Sequence, residues 1–183
     1  MSNRVPLLVL GLGNVLLGDD GLGAAAVVRL RDHFIVPPDV HVLDGGTLGL
    51  ALLPYVEEAE AVILVDAIRG DGPAGTFVRL DGDDVAPAVA TRLSPHQVGV
   101  SDLLDGARWR DRYPTRVVLL GLVPESIELG VGLSPRVAAA LDDLVDRVVD
   151  EAAAIGFRCR PKVGHEAAAP DRGLDVARLV GMS

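Results

Sequence analysis

Aspartates follow three short apolar runs, of which the first and the third have the composition of a strand that is buried on both faces. Asp20 lies in the glycine-rich loop after the first run, and Asp44 and Asp66 directly follow the second and third runs. Ligands bind beyond the carboxyl ends of the strands in an open parallel sheet, so we expect these carboxylates to gather at one edge. Gathered carboxylates are costly unless a metal ion or a shared proton joins them. The pattern therefore predicts a ligand site at this edge.

One of the four histidines is a candidate to complete such a site. His96 lies in the segment Ser94-Pro-His-Gln-Val-Gly, a predicted loop before a helix, whereas His33, His41 and His165 are predicted to be structural or solvated. Two carboxylates and one imidazole form a partial site for a borderline divalent cation such as nickel or zinc. This combination indicates a metal site assembled from distant parts of the chain.

Each of these aspartates also has a purely structural interpretation. Either Asp19 or Asp20 can cap the helix that follows them, which leaves the other free to face a ligand. Asp44 begins Asp-Gly-Gly-Thr, a plausible strand-to-helix turn in which Thr47 is the cap. Asp66 can likewise be a turn residue at a strand end. The residue types alone leave these alternatives open.

The glycine-rich loop invites comparison with nucleotide-binding loops. A dinucleotide fingerprint needs Gly-x-Gly-x-x-Gly, but Leu16 stands where the third glycine belongs, and no Gly-Lys-Ser/Thr follows. Asp19 and Asp20 would also repel a phosphate at the start of the helix. A nucleotide- or phosphate-binding α/β module is therefore only the second choice.

The elements that must position these residues alternate between strands and helices. Predicted strands are Val5–Leu10, Val40–Leu43, Ala61–Val65, Thr76–Leu80 at a possible edge, and Val117–Leu122. Predicted helices are Gly21–Phe34, Leu48–Glu58, one that starts after Ser101, and one from Ser134 to about Gly156. This alternation predicts an α/β fold: a single three-layer α/β/α domain with a mostly parallel, twisted sheet of about five strands.

Composition indicates how far that domain extends and which classes of partner are excluded. The chain has 183 residues, 17 Lys+Arg and 26 Asp+Glu, which gives a net charge of −9 and argues against nucleic acid and anionic membranes as partners. Residues 1–157 are predicted to form the domain, and residues 158–183, rich in Ala, Gly and Pro, a poorly ordered C-terminal extension. The single cysteine, Cys159, and the lack of an 18-residue apolar span favour a cytoplasmic protein.

Five motifs in order resemble the nickel–iron hydrogenase maturation endopeptidases over about residues 4–157. They are Gly11-Leu-Gly-Asn-Val-Leu-Leu-Gly-Asp-Asp-Gly-Leu-Gly, Asp44-Gly-Gly-Thr, Val65-Asp-Ala, Ser94-Pro-His-Gln-Val-Gly and Gly121-Leu-Val-Pro-Glu-Ser. The resemblance implies an aspartyl-type endopeptidase that removes the C-terminal extension of a hydrogenase large-subunit precursor after nickel insertion. The expected alternative is the nucleotide- or phosphate-binding module without protease activity.

The resemblance also implies a role for each candidate side chain. Asp20, Asp66 and His96 match the family's nickel-reading ligands, and Asp44 matches a family aspartate near the cleft, which makes it a candidate catalytic residue. The nickel is expected to arrive with the precursor, so that the enzyme needs no resident metal and no nucleotide. The enzyme is expected to act as a monomer in the cytoplasm.

Overall fold

A five-stranded sheet lies at the centre of the computed structural model, which describes residues 4–90 and 100–163. The strand order is β3-β1-β4-β6-β5; β5 runs antiparallel to β6, and all other neighbours are parallel. A separate antiparallel pair joins β2 and β7. The strands are β1 Val5–Leu12, β2 Phe34–Ile35, β3 Val40–Gly46, β4 Ala59–Ala67, β5 Phe77–Asp81, β6 Arg116–Leu122 and β7 Arg160–Pro161.

Helices cover both faces of this sheet. The α-helices are α1 Leu22–His33, α2 Leu53–Glu57, α3 Val85–Ala90, α4 Val100–Trp109, α5 Pro135–Ala139 and α6 Leu141–Ile155. Short 3-10 helices span Gly18–Gly21, Gly49–Leu52 and Gly82–Asp84. One face of the sheet packs against α1, α5 and α6, and the other packs against α2, α3 and α4. The predicted three-layer fold and the edge position of the fourth main strand are thus confirmed.

The central strands form because almost every residue is apolar. In β4, the run from Ala61 to Val65 is buried, and successive side chains enter alternate core layers. In α6, buried residues recur at helical spacing, and the helix ends at Gly156, whose φ of 113° is the left-handed conformation that glycine adopts readily. Within the described residues, no helix is both long and apolar enough to span a membrane.

The structure refines several predicted boundaries. The first helix starts at Leu22 and ends at His33, because Phe34 already pairs with Pro161 in the small sheet. The second begins as a 3-10 helix at Gly49, since Pro54 takes one of the first helical positions of α2. The predicted cap at Thr47 is wrong: the residue before this 3-10 helix is Leu48, and no side chain there makes a capping hydrogen bond.

The beginning of the predicted extension contacts the domain. Arg160 and Pro161 pair with β2, and the backbone N–H of Lys162 donates to the carbonyl of His33 at 2.7 Å. Residues 164–183 lie outside the described part of the chain. The boundary at residue 157 and the poor order of the extension therefore stay predictions.

Candidate functional site

Asp44 and Asp66 both lie at the carboxyl edge of the sheet. Gly11 of β1 pairs with Asp44 on one side and with Val65 on the other. Asp66 is therefore only one residue beyond the level of Asp44, and β1 runs between them. Two strand spacings separate their backbones by about 10 Å. The sheet register thus brings the backbones of Asp44 and Asp66 to one edge, whereas the expectation was that the carboxylates themselves would gather there.

The two carboxylates nevertheless face opposite sides of the sheet. Side chains two residues apart in a strand lie on the same face of the sheet. Asp44 therefore lies on the face of Val42, which packs towards α1 and α6. Asp66 lies on the face of Leu64, which packs towards α2 and α4. Asp66 is only 1% exposed, and its Oδ1 accepts a hydrogen bond from the backbone N–H of Ala67 at 2.8 Å. The side chains of Asp44 and Asp66 therefore do not converge.

Asp44 has the local contact expected of a turn residue. Its side chain is exposed, and its Oδ1 accepts a hydrogen bond from the backbone N–H of Gly46 at 3.0 Å. The carbonyl of Gly46 in turn accepts a hydrogen bond from the N–H of Gly13. The turn at the end of β3 is therefore bonded to the loop after β1. This contact supports the structural interpretation, and the catalytic role of Asp44 stays a prediction.

Asp20 is held against the end of β1 by a tight reversal of the chain. Its Oδ2 accepts the backbone N–H of Asn14 at 2.8 Å, and its 3-10 helix contacts β4, the strand that carries Asp66. Gly13 has a φ of 117°, and a Cβ atom there would stand 1.8 Å from the carbonyl oxygen of Asp20. Only glycine permits this approach, which places half-buried Asp20 beside the same edge as Asp66.

Neither neighbouring aspartate caps α1 as predicted. The N-cap position of α1 is Gly21, and no side chain makes a capping hydrogen bond there. Asp19 is 1% exposed and instead accepts three backbone N–H groups from the connection between β6 and α5. Glu125 and Ser126 donate to its Oδ2 at 2.7 and 3.2 Å, and Ser134 donates to its Oδ1 at 2.6 Å.

The role of Asp19 was not predicted from the sequence, which indicated only a possible helix cap. Its partners lie 106 to 115 residues further along the chain, so no local pattern indicates them. The only signal in the sequence is the pair of adjacent acids, of which one had to serve another purpose. The structure shows that purpose: Asp19 joins the loop that carries Asp20 to the connection beyond β6.

Replacing Asp19 with Ala should destabilise the fold by about 3 kcal/mol, because three partly buried N–H groups lose a charged acceptor. Chemical denaturation measures the free energy of unfolding. Asp83→Ala is the matched control, since Asp83 is fully exposed and its ion pair with Arg108 should contribute little to stability. Equal losses in the two variants would contradict the role of Asp19.

An open groove adjoins the ends of β4 and β6. It has a volume of about 670 Å³, and it is lined by Arg69–Asp71 from the connection after β4 and by Val123–Ile127 from the connection after β6. The groove begins three residues after Asp66 and includes Glu125, which donates to Asp19. Its lining combines charged side chains, such as Arg69 and Asp71, with apolar ones, such as Val123 and Ile127.

The described residues do not by themselves complete a metal site. Within residues 4–90 and 100–163, no three His, Cys, Asp or Glu side chains are close enough to hold an ion together. His96, the predicted third ligand, lies outside the described residues. Cys159 directly precedes β7, and burial raises the pKa of its thiol, which agrees with the prediction that it is no nucleophile.

Comparisons with known proteins agree with this architecture. The family model described as hydrogenase maturation protease matches residues 25–151. The hydrogenase 2 maturation protease of Escherichia coli is 35% identical over 157 residues, which cover 85% of this chain and 96% of that protein. The hydrogenase expression/formation protein HupD of Rhodobacter capsulatus is 41% identical over 153 residues, which cover 82% and 73%.

Solved structures give the same result. The hydrogenase maturating endopeptidase HybD from Escherichia coli matches with a TM-score of 0.81 and 34% identity, covering 86% of this chain and 98% of that one. A [NiFe] hydrogenase maturation protease HycI from Thermococcus kodakarensis, at 23% identity and a TM-score of 0.65, shares the fold. The chain therefore belongs to the hydrogenase maturation protease family and is a hydrogenase maturation endopeptidase.

Proposed function

We propose that this endopeptidase removes the C-terminal extension of a nickel–iron hydrogenase large-subunit precursor after nickel has been inserted. The observation that carries the proposal is the position of Asp20 and Asp66 beside the ends of β1 and β4, in a member of the maturation protease family. The same comparisons favour a protease over the nucleotide- or phosphate-binding module.

In this proposal, Asp20, Asp66 and His96 contact nickel that the precursor carries. Nickel accepts imidazole and carboxylate donors alongside thiolates, so one ion can be shared between two proteins. His96 stands four residues before the start of α4. Since α4 belongs to the helix layer that Asp66 faces, this connection supports including His96 in the set.

The proposed reaction is hydrolysis of one peptide bond beside the shared ion. The ion can polarise the scissile carbonyl as a Lewis acid or hold the precursor in position, and an aspartate that activates water is the alternative. The groove beyond Asp66 gives the extension a place to lie on this edge. We place the enzyme in the cytoplasm as a monomer, and its single cysteine suits a reducing compartment.

The test is incubation of the enzyme with a nickel-loaded precursor, with the loss of the extension measured as a mass change. Asp66→Asn keeps the size of this buried side chain but removes its charge, so cleavage should fall at least about tenfold. Asp83→Ala, an exposed aspartate near the opposite edge, should cleave like the wild type. Wild-type enzyme that leaves the nickel-loaded precursor intact would refute the proposal.

A further inference from the structure

Four large apolar side chains are exposed on two loops at the carboxyl edge. Val15 and Leu16 lie in the loop after β1, and Leu129 and Val131 lie in the connection after β6. Their exposed fractions range from 51% to 86%. We call these four residues the apolar rim. Groups of exposed apolar side chains mark interaction surfaces more often than isolated ones do.

Backbone hydrogen bonds join the two halves of the apolar rim. The N–H of Gly18 donates to the carbonyl of Gly130 at 2.8 Å, and the N–H of Gly130 donates to the carbonyl of Leu16 at 2.9 Å. The resulting parallel bridge pairs Leu17 with Gly130, which places Leu16 next to Leu129. The two loops that carry the apolar rim are therefore joined by backbone hydrogen bonds.

The apolar rim also continues into the candidate site. Asp20 lies only four residues after Leu16, and Asp19 ties the same loop to the N–H groups of Glu125 and Ser126. A protein that brings a metal ion to Asp20 would therefore approach the loop that presents Leu16. The exposed carboxylates of Glu125 and Glu128 lie on the same connection as Leu129.

We propose that the apolar rim docks the folded body of the metal-carrying precursor, whereas the groove beyond β4 receives its extension. This inference rests on the proposed function. The metal ion is held inside a folded protein, so a surface around Asp20 must fit that body and not only a peptide. The expected partner surface is apolar, with basic side chains opposite Glu125 and Glu128, since unlike charges at the edge of an interface guide association.

The test compares two variants in binding and in cleavage. In Leu16→Ser/Leu129→Ser, both neighbouring side chains of the apolar rim become polar. Trp109→Ser is the matched control, because Trp109 is 91% exposed at the end of α4, just before the chain enters β6 at the opposite edge. Equilibrium binding is measured with nickel-free precursor, and KM and kcat are measured with nickel-loaded precursor.

We expect the double variant to bind the nickel-free precursor at least about tenfold more weakly and to raise KM by a similar factor, with kcat almost unchanged. Trp109→Ser should match the wild type, and all variants should show cooperative melting. In the binding assay, Asp66→Asn should also match the wild type, because the nickel-free precursor brings no ion for Asp66 to contact. This result separates docking of the precursor from recognition of its nickel. This separation holds even if wild-type enzyme fails to cleave and the proposed function is lost.

Three results would overturn the inference. The double variant could bind and cleave as the wild type does, or the wild type could show no affinity for the nickel-free precursor. Sedimentation could instead show that the wild type is a dimer and the double variant a monomer, which would make the apolar rim a self-association surface.

Discussion

A precursor without nickel should remain uncleaved by this enzyme, even when the enzyme is in excess. The physical reason is the small number of ligands that the enzyme offers. Asp20 and Asp66 are the two described candidates, and each carboxylate already accepts a backbone hydrogen bond. Together with an imidazole, they form a site that leaves coordination positions of the ion free. Such a site binds a free divalent ion only weakly, but it can bind an ion that another protein already holds.

The measurement uses one batch of precursor, divided into a nickel-free and a nickel-reloaded sample. Loss of the extension is followed by mass spectrometry over the same period, and reloading should restore cleavage. Efficient cleavage of the nickel-free sample would instead indicate ordinary hydrolysis assisted by an aspartate. Asp44 would then become the first candidate, because its exposed carboxylate can be reached by water.

Gly13→Ala should lower kcat/KM by about a hundredfold, because a displacement of about 1 Å near the reacting groups is enough for such a loss. The added methyl group would stand 1.8 Å from the carbonyl oxygen of Asp20, far inside van der Waals contact. The backbone of Asp20 must therefore move away from the end of β1. Its carboxylate moves with it and leaves the N–H of Asn14.

Gly82→Ala is the matched control for this prediction. Gly82 also has a positive φ, of 55°, but no other described residue comes within 4 Å of an added methyl group. Both variants carry backbone strain of about 1 kcal/mol or more, so both should melt at a lower temperature. Only Gly13→Ala should also lose activity in its folded form. Activity within threefold of the control would refute the argument that Gly13 positions Asp20.

Local patterns were sufficient to predict the five strands of the central sheet and most of its helices, but not the short elements β2, β7 and α3. Consecutive apolar residues predicted β4, because a strand covered on both faces has no polar side. Apolar residues at helical spacing predicted the last long helix up to Gly156. In the structure this predicted helix is interrupted at Ala140, which separates α5 from α6. The spacing does not reveal the interruption, because the apolar face continues across it.

The candidate site was predictable in part. Aspartates after parallel strands had to meet at one edge, and Asp20, Asp44 and Asp66 do lie there. Which face each side chain takes was not predictable, because it depends on the pairing of Gly11 with Asp44 and with Val65. A register shifted by one residue would reverse the face of a side chain without any change in composition.

The sequence by itself determined the α/β class, the edge at which the acids collect and the family to which the chain belongs. Only the tertiary structure decided how the two acids of one motif are divided: Asp19 is buried as an acceptor for distant N–H groups, and Asp20 is left at the edge. The physical reason is that the apolar patterns that predict strands and helices lie within a few neighbouring residues. The partners of a buried carboxylate are instead chosen by packing, here between segments more than 100 residues apart.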